Sequence, residues 1–448
     1  MRNRPTLNTT SYGLTRREFL WITSIVSAGV VVGCATNPVT GKSQFMLVSE
    51  DSEIQIDKQY SPHQFSTDYG TLQDNALNNY IDRTGKTIAS KTHRPNMPYS
   101  FRGVNATYIN AYAFPGGSIA ITRGILLKLE NEAELAALLG HELGHVNMRH
   151  TAEQMSKGIL AQAVVVGLAV YVGTKDTRYS ELAAGLGMLG AGVLLASYSR
   201  DNEREADALG MAYSVKSGYS SKGMVGLTAM LKSLSKLKPS AAQLLFATHP
   251  MSDERYDTAV RLSQNKYASS LDMPLHRDRY MDHTADLRAM KSAIEEMQKG
   301  EAAMAKKKYT VAETHFRTAL KQAPEDYAGL LLMSKCLLAQ KRNAEALQYS
   351  EMAKNVNPDE AQAHHISGFA KIRKKDFGAA YQDFNSYEKV LPGNPNTLFF
   401  KGLSLEGMHQ RDAAANEYSR YLQVVQQGNM AKYASRRLVE WGYVKPKN

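Results

Sequence analysis

The chain has 448 residues, 43% of them hydrophobic, and a formal net charge of +11. That apolar content supports a sizeable core and excludes a disordered chain, and the length allows about three domains. The 54 basic residues are spread widely, with no Lys/Arg run interleaved with aromatics, so the charge reads as a solvated surface that favours anionic membranes and not as a nucleic-acid interface.

The first element is an export signal. In LTRREFLWITSIVSAGVVVGC, Arg16 and Arg17 precede Phe19, Leu20 and an apolar run ending at Val32. The run is about 15 residues, short of the ~20 that cross a bilayer. The paired arginines resemble a twin-arginine signal and VVGC resembles a bacterial lipobox, which makes residues 1–33 the signal and Cys34 the lipidated first residue of the mature chain. A retained membrane anchor is the alternative, and either puts the remainder outside the cytoplasm. Cys336 is the only other cysteine, so no internal disulfide is expected. Ala35 is not the Asp that favours inner-membrane retention, which points to the outer membrane.

Residues 34–50, rich in turn formers, read as a tether. Residues 51–270 read as one helix-rich domain with a single extended piece, NAYAFPGGSIAITRGIL (110–126), whose Pro-Gly-Gly turn and alternating SIAIT predict a hairpin or edge strand. Two apolar stretches between 159 and 196 are each short for a membrane span. They read as buried helices, or alternatively as a membrane-dipping or partner-facing hairpin.

The chemistry lies in LLGHELGHVNMRH (138–150). At 3.6 residues per turn His141 and His145 are about 40° apart and face the same way. Two imidazoles one turn apart reach a single Zn²⁺ at about 2 Å. Glu142, between them, is placed to act as general base without ligating. His150 falls about 180° round a continuous helix from His141, which predicts a surface position or one behind the ligands. In SYSRDNEREADALG (197–210), Glu203 and Asp207 share a helix face, while Asp201 and Glu205 lie more than about 100° away. Glu203 as third ligand and Asp207 as the group orienting an imidazole complete a site with one position left for water. Taken alone, DNEREAD also fits a solvated charged face.

The C-terminal third is periodic. Pro324, Pro358 and Pro392 are 34 residues apart, as are Ala312, Ala346, Ala380 and Ala414. Gly300, Gly368 and Gly402 keep the same register with Ser334 in the skipped place, and Phe316, Phe384 and Tyr418 form another column. This is the tetratricopeptide pattern of stacked helix pairs, predicted over 285–440 as a docking surface.

NEAELAALLGHELGHVNMRH, SRDNEREADALG and THPMSDER together resemble the HtpX/BepA-like zinc metallopeptidases, which are gluzincins, and the repeats extend the resemblance to the BepA-like arrangement. The resemblance implies an α+β, mostly helical fold: a gluzincin domain with a small edge-strand sheet at 51–270, then an α-solenoid of repeats. It implies one Zn²⁺ held by His141, His145 and Glu203, Glu142 as catalytic base, and Asp207 as a second catalytic carboxylate. It also implies an SIAIT edge that pairs with substrate, and His249 as a histidine that approaches the zinc and holds the enzyme latent. Arg200 and Arg255 are candidates for electrostatic support. The implied partners are unfolded or misassembled envelope proteins, outer-membrane assembly machinery through the repeats, and the membrane through the lipid, in the bacterial periplasm. The rival reading, a repeat scaffold with a vestigial protease domain, leaves the five-residue constellation without a purpose. A purely structural zinc would be expected to have four protein ligands, often cysteines.

Overall fold

The computed structural model describes residues 34–157 and 197–445; the export signal at 1–33 and the apolar stretches between 159 and 196 lie outside the described residues. Among the described residues no helix is long and apolar enough to cross a membrane.

The segment expected to be a tether is an ordered hairpin. Strand β1 (Cys34–Thr36) pairs antiparallel with β2 (Ser43–Phe45). Asn37 makes the turn by accepting from the backbone of Val39 and Thr40, as asparagine commonly does. Its amide also donates to Met148 O at 3.2 Å, which pins the hairpin to the end of the histidine-bearing helix.

Helices α1 (Glu50–Thr67) and α2 (Asn75–Ala89) precede a three-stranded sheet of β3 (Ser100–Val104), β4 (Ala111–Ala113) and β5 (Ser118–Thr122). The order is β3-β5-β4, with β3 parallel and β4 antiparallel to β5. SIAIT is therefore the central strand, and β3 and β4 are the two edges; β3 is covered, since Leu72 N donates to Gly103 O while Phe101 N and Gly103 N donate to Asp82 and Asn78. Sequence alternation marks a strand but not its neighbours, so the expected substrate edge moves from β5 to β4. Phe114 N donates to Ser118 O and Thr122 N to Asn110 O, so by alternation the N–H and C=O groups of Ala111 and Ala113 point away from β5.

Helix α3 (Glu132–Met148) carries HELGH and is buried at every residue. Asn131 caps it by accepting from Glu134 N at 3.0 Å, with Glu132 and Glu134 in the first turn where the dipole favours them. Helix α4 (Arg200–Lys216) lies across it at glycine contacts: a Cβ on Gly140 would meet Gly210 O at 2.8 Å, and one on Gly144 would meet Ala206 Cα at 2.9 Å. Helices α5 (Lys222–Leu237) and α6 (Asp253–Gln264) close the domain. Its core joins Leu77, Ile81, Ile119, Leu135, Leu139 and Leu143.

Four helix pairs follow: α7 (Lys291–Ala305) with α8 (Tyr309–Gln322), α9 (Tyr327–Ala339) with α10 (Asn343–Val356), α11 (Ala361–Arg373) with α12 (Phe377–Val390), and α13 (Pro395–Gly407) with α14 (Arg411–Val424). Helix α15 (Asn429–Glu440) caps the stack. The 34-residue period reaches the backbone, because Lys307, Lys341, Lys375 and His409 each take positive φ at the turn inside a pair. The periodic columns are partners in space. A Cβ on Gly300, Gly368 or Gly402 would collide with Phe316, Phe384 or Tyr418 respectively. In the second pair both partners change together, Ser334 facing the helix that carries Ser350, and both are fully buried.

The repeats are docked on the N-terminal domain through the first helices of the pairs and the turns leading into them. Arg123, 1% exposed, forks onto Asp326 at 2.5 and 3.1 Å. Gln298 donates to Thr107 O at 2.6 Å, Ser66 to Glu360 at 2.5 Å, and Gln73 to Val356 O at 3.0 Å. Part of the surface that the periodicity assigns to docking thus carries the chain's own α1 terminus and following loops.

Candidate metal centre

His141 and His145 project from the C-terminal half of α3 and Glu203 from the first turn of α4, brought close by the glycine contacts between the two helices. His141 Nε2 lies 3.1 Å from His145 Nε2, 3.7 Å from Glu203 Oε2, and His145 Nε2 lies 3.4 Å from Glu203 Oε1. His249, which caps a short helix at Gln243–Thr248, joins them with Nδ1 3.0 Å from Glu203 Oε1. The four offer ligand atoms within 4.8 Å of one another, and all four are buried.

Donors on a tetrahedral metal with bonds of about 2.0–2.1 Å sit about 3.3 Å apart. The three observed separations bracket that value. Two imidazole Nε2 atoms facing each other and a carboxylate are also the right donor chemistry for a divalent cation of the Zn²⁺ type. The buried Glu142 Oε2 has no hydrogen-bond partner, which a metal-bound water would supply. The residues fit such an ion.

The charges are arranged around this cluster. Burial, the largest influence on Glu203, opposes its ionisation, but His249, His145 and Arg255 outweigh it and hold its carboxyl well below the usual range. Burial drives His145 well below its usual pKa, leaving a neutral imidazole fit to ligate. Burial raises the Glu142 carboxyl above its usual range. Arg255, 4% exposed, donates to both oxygens of Asp207 at 2.6 and 2.7 Å and lies 2.6 Å from Glu203. Asp207 Oδ1 is 2.9 Å from His141 Nδ1, so this carboxylate faces the imidazole's rear nitrogen.

His150 takes the second of its two expected positions, behind a ligand and not at the surface. It is 1% exposed, and its Nδ1 lies 2.9 Å from His145 Nδ1. The projection round a continuous helix fails because α3 ends at Met148 and Arg149 takes φ 62°, which turns the chain back on itself. A buried triad holds that reversal: Glu53 bonds Arg149 at 2.9 Å and Arg94 at 2.7 Å, and Arg94 also caps Val146 O. Arg94 and Glu53 carried no signal in the sequence, since their meeting depends on tertiary contacts. Tyr198 was also missed. It stacks on His145 with ring centroids 3.8 Å apart and bonds Thr151 through its hydroxyl. Arg200 forms no ion pair among the described residues, whereas Arg255 is built into the site.

Residues 75–262 match peptidase family M48, and residues 303–367 match the tetratricopeptide repeat. Residues 75–262 form an M48 metallopeptidase domain. The beta-barrel assembly-enhancing protease of Yersinia pestis is 28% identical over 406 residues, 85% of this chain and 83% of that protein, so the likeness runs through the M48 domain and the repeats. The Escherichia coli K12 protein of the same name is 25% identical over 225 residues, 49% of this chain and 45% of its own length. The metalloprotease YcaL of the same organism is 31% identical over 158 residues, 35% of this chain and 59% of YcaL. In this chain the M48 match encloses His141, Glu142, His145, Glu203, Asp207 and Arg255.

Proposed function

We propose that this chain is a zinc endopeptidase of the bacterial periplasm that cleaves unfolded or misassembled envelope proteins. His141, His145 and Glu203 would hold one Zn²⁺. The observation that carries the reading is a set of ligand atoms within 4.8 Å of one another beside an unpartnered buried carboxylate, Glu142. A bound zinc supplies Lewis acidity to the scissile carbonyl and to the attacking water. Glu142 takes the proton from that water and returns it to the leaving amine. Asp207 and Arg255 hold the rear of His141 and the charge of Glu203. The outward groups of Ala111 and Ala113 on β4 receive the substrate backbone as an added strand.

His249 occupies a ligand position against Glu203, and in this reading it is a latch that must leave before substrate and water have full access. The partition of the chain is a signal over 1–33, residues 34–50 leading into a peptidase domain at 51–270, and repeats at 285–440 that bind clients or outer-membrane assembly machinery. Lipid on Cys34 would tether the chain to the outer membrane in preference to the inner. The names of the Yersinia and Escherichia relatives, and the 83% of the Yersinia protein that is covered, support the substrate class.

The test strips metal from the purified protein with a chelator and restores Zn²⁺ while following cleavage of an unfolded β-barrel protein. Cleavage should vanish and return, and His249→Ala should exceed wild type. Cleavage that survives removal of the metal contradicts the reading, and a His249→Ala variant no faster than wild type removes the latch. Cys34→Ala should move the protein to the soluble fraction of cells, and retention in the membrane contradicts the lipid anchor.

A further inference from the structure

His150 takes no part in the reaction described above, yet it is almost fully buried against a ligand. Its Nδ1 faces His145 Nδ1 at 2.9 Å, and its Nε2 lies 3.0 Å from Glu205 Oε2. Glu205 stands on α4, two residues from Glu203, with 47% of its side chain exposed. We propose that His150 and Glu205 are positioning residues that hold His145 in the tautomer able to bind metal, an inference that rests on the metallopeptidase reading.

Two facing Nδ1 atoms make a hydrogen bond only when one carries the proton and the other the lone pair. An ionised carboxylate is an acceptor only, so Glu205 takes the Nε2–H of His150. His150 then presents its Nδ1 lone pair to His145, whose proton settles on Nδ1. That leaves the His145 Nε2 lone pair directed at His141 Nε2 and Glu203, 3.1 and 3.4 Å away. The reverse arrangement places a proton on His145 Nε2, inside the ligand cluster, where it would have to leave before a metal enters. The stacked ring of Tyr198 keeps the imidazole plane in place while this hydrogen-bond chain selects its proton position.

The two ligating histidines are thus treated alike. Asp207 faces Nδ1 of His141 directly, and Glu205 acts on Nδ1 of His145 through His150. Carboxylates behind metal-bound imidazoles fix ring and tautomer in this manner. Both carboxylates belong to α4, so one helix supplies a ligand and anchors both imidazoles. Glu205, on the opposite side of α4 from Asp207, reaches the site because the chain reverses at Arg149.

The test measures Zn²⁺ affinity of the full chain by competition with a chromophoric chelator, together with the thermal midpoint of the metal-free protein. His150→Phe and Glu205→Leu should each weaken Zn²⁺ binding about 10–100-fold, the range for loss of such outer partners. Glu205→Gln, whose carbonyl still accepts from His150, should recover most of the loss, and the metal-free midpoint of Glu205→Leu should equal that of wild type. Affinity within twofold of wild type in Glu205→Leu overturns the proposal, and that exposed variant decides it even where His150→Phe does not fold. A loss of affinity matched by a lower metal-free midpoint would make the role structural and overturns it as well. Failure of wild type to bind Zn²⁺, or wild-type affinity in His141→Ala, would remove the metallopeptidase reading instead.

Discussion

Gly144 and Ala206 touch where α3 crosses α4: a carbon added at Gly144 would sit 2.9 Å from Ala206 Cα and 3.0 Å from Ala206 O. The glycine inside HELGH is thus a packing residue that shapes the candidate metal centre. It lets the helix that carries Glu203 approach the helix that carries both histidines.

Gly144→Ala should therefore cost about 1–3 kcal/mol, the usual penalty for overpacking a tight contact. It should also weaken Zn²⁺ binding, because Glu203 moves with α4. Chemical unfolding and metal titration of the variant check both. Unchanged metal affinity with lowered stability would separate the packing from the site.

Arg255→Met should destabilise the metal-free protein by about 3–5 kcal/mol, because it strands two buried carboxylates, Glu203 and Asp207. Zn²⁺ should restore part of that loss by neutralising Glu203. Arg255→Lys should not rescue it, since an ammonium cannot reproduce the forked contact with Asp207. Calorimetry with and without metal reads all three.

The Arg123–Asp326 pair is the buried ionic link between the M48 domain and the repeats, with side chains 2% and 4% exposed. Arg123→Met should cost about 3–5 kcal/mol by leaving Asp326 uncompensated, and Asp326→Leu in the same chain should recover much of it. Should the single and double variants prove equally destabilised, the pair is not coupled.

Acid should affect the same interface through Asp68. Burial pushes its carboxyl up to about 6, with hydrogen bonds from Tyr112, Gln64 and Tyr108 and the charge of Lys335 offsetting part of the cost. A raised folded-state pKa means that the folded state binds the proton more tightly. This contribution is full below pH ~4 and is lost as pH rises through about 6, amounting to about 3 kcal/mol. Asp68→Asn removes it, so the stability of the variant relative to wild type should improve between pH 4.5 and 7.5. Urea unfolding at the two pH values checks this, and a constant difference contradicts it.

Much of the site was legible because it is written in local spacing. His141 with His145, and Glu203 with Asp207, are pairs one helical turn apart, and helical geometry alone aligns each pair. The repeats were legible for a similar reason, since each glycine column and its aromatic column are partners within one helix pair. What spacing could not carry was tertiary. His150 was projected along a helix that in fact stops at Arg149, where Glu53 and Arg94, from distant segments, hold the reversal. SIAIT reads as an edge because alternation reveals a strand without its place in the sheet; it is the central strand, and β4 is the edge left uncovered. Nothing in the period of the repeats signals that their first helices hold the end of α1.

The central claim is that Glu142 moves the proton at a metal held by His141, His145 and Glu203. The most direct measurement is kcat/KM of Glu142→Gln on an unfolded protein substrate, with bound zinc quantified in the same preparation. The account predicts one zinc per chain, as in wild type, and a loss of at least about 10²–10⁴-fold, the contribution of a positioned general base. Cleavage by Glu142→Gln at the wild-type rate, with zinc bound, would contradict it.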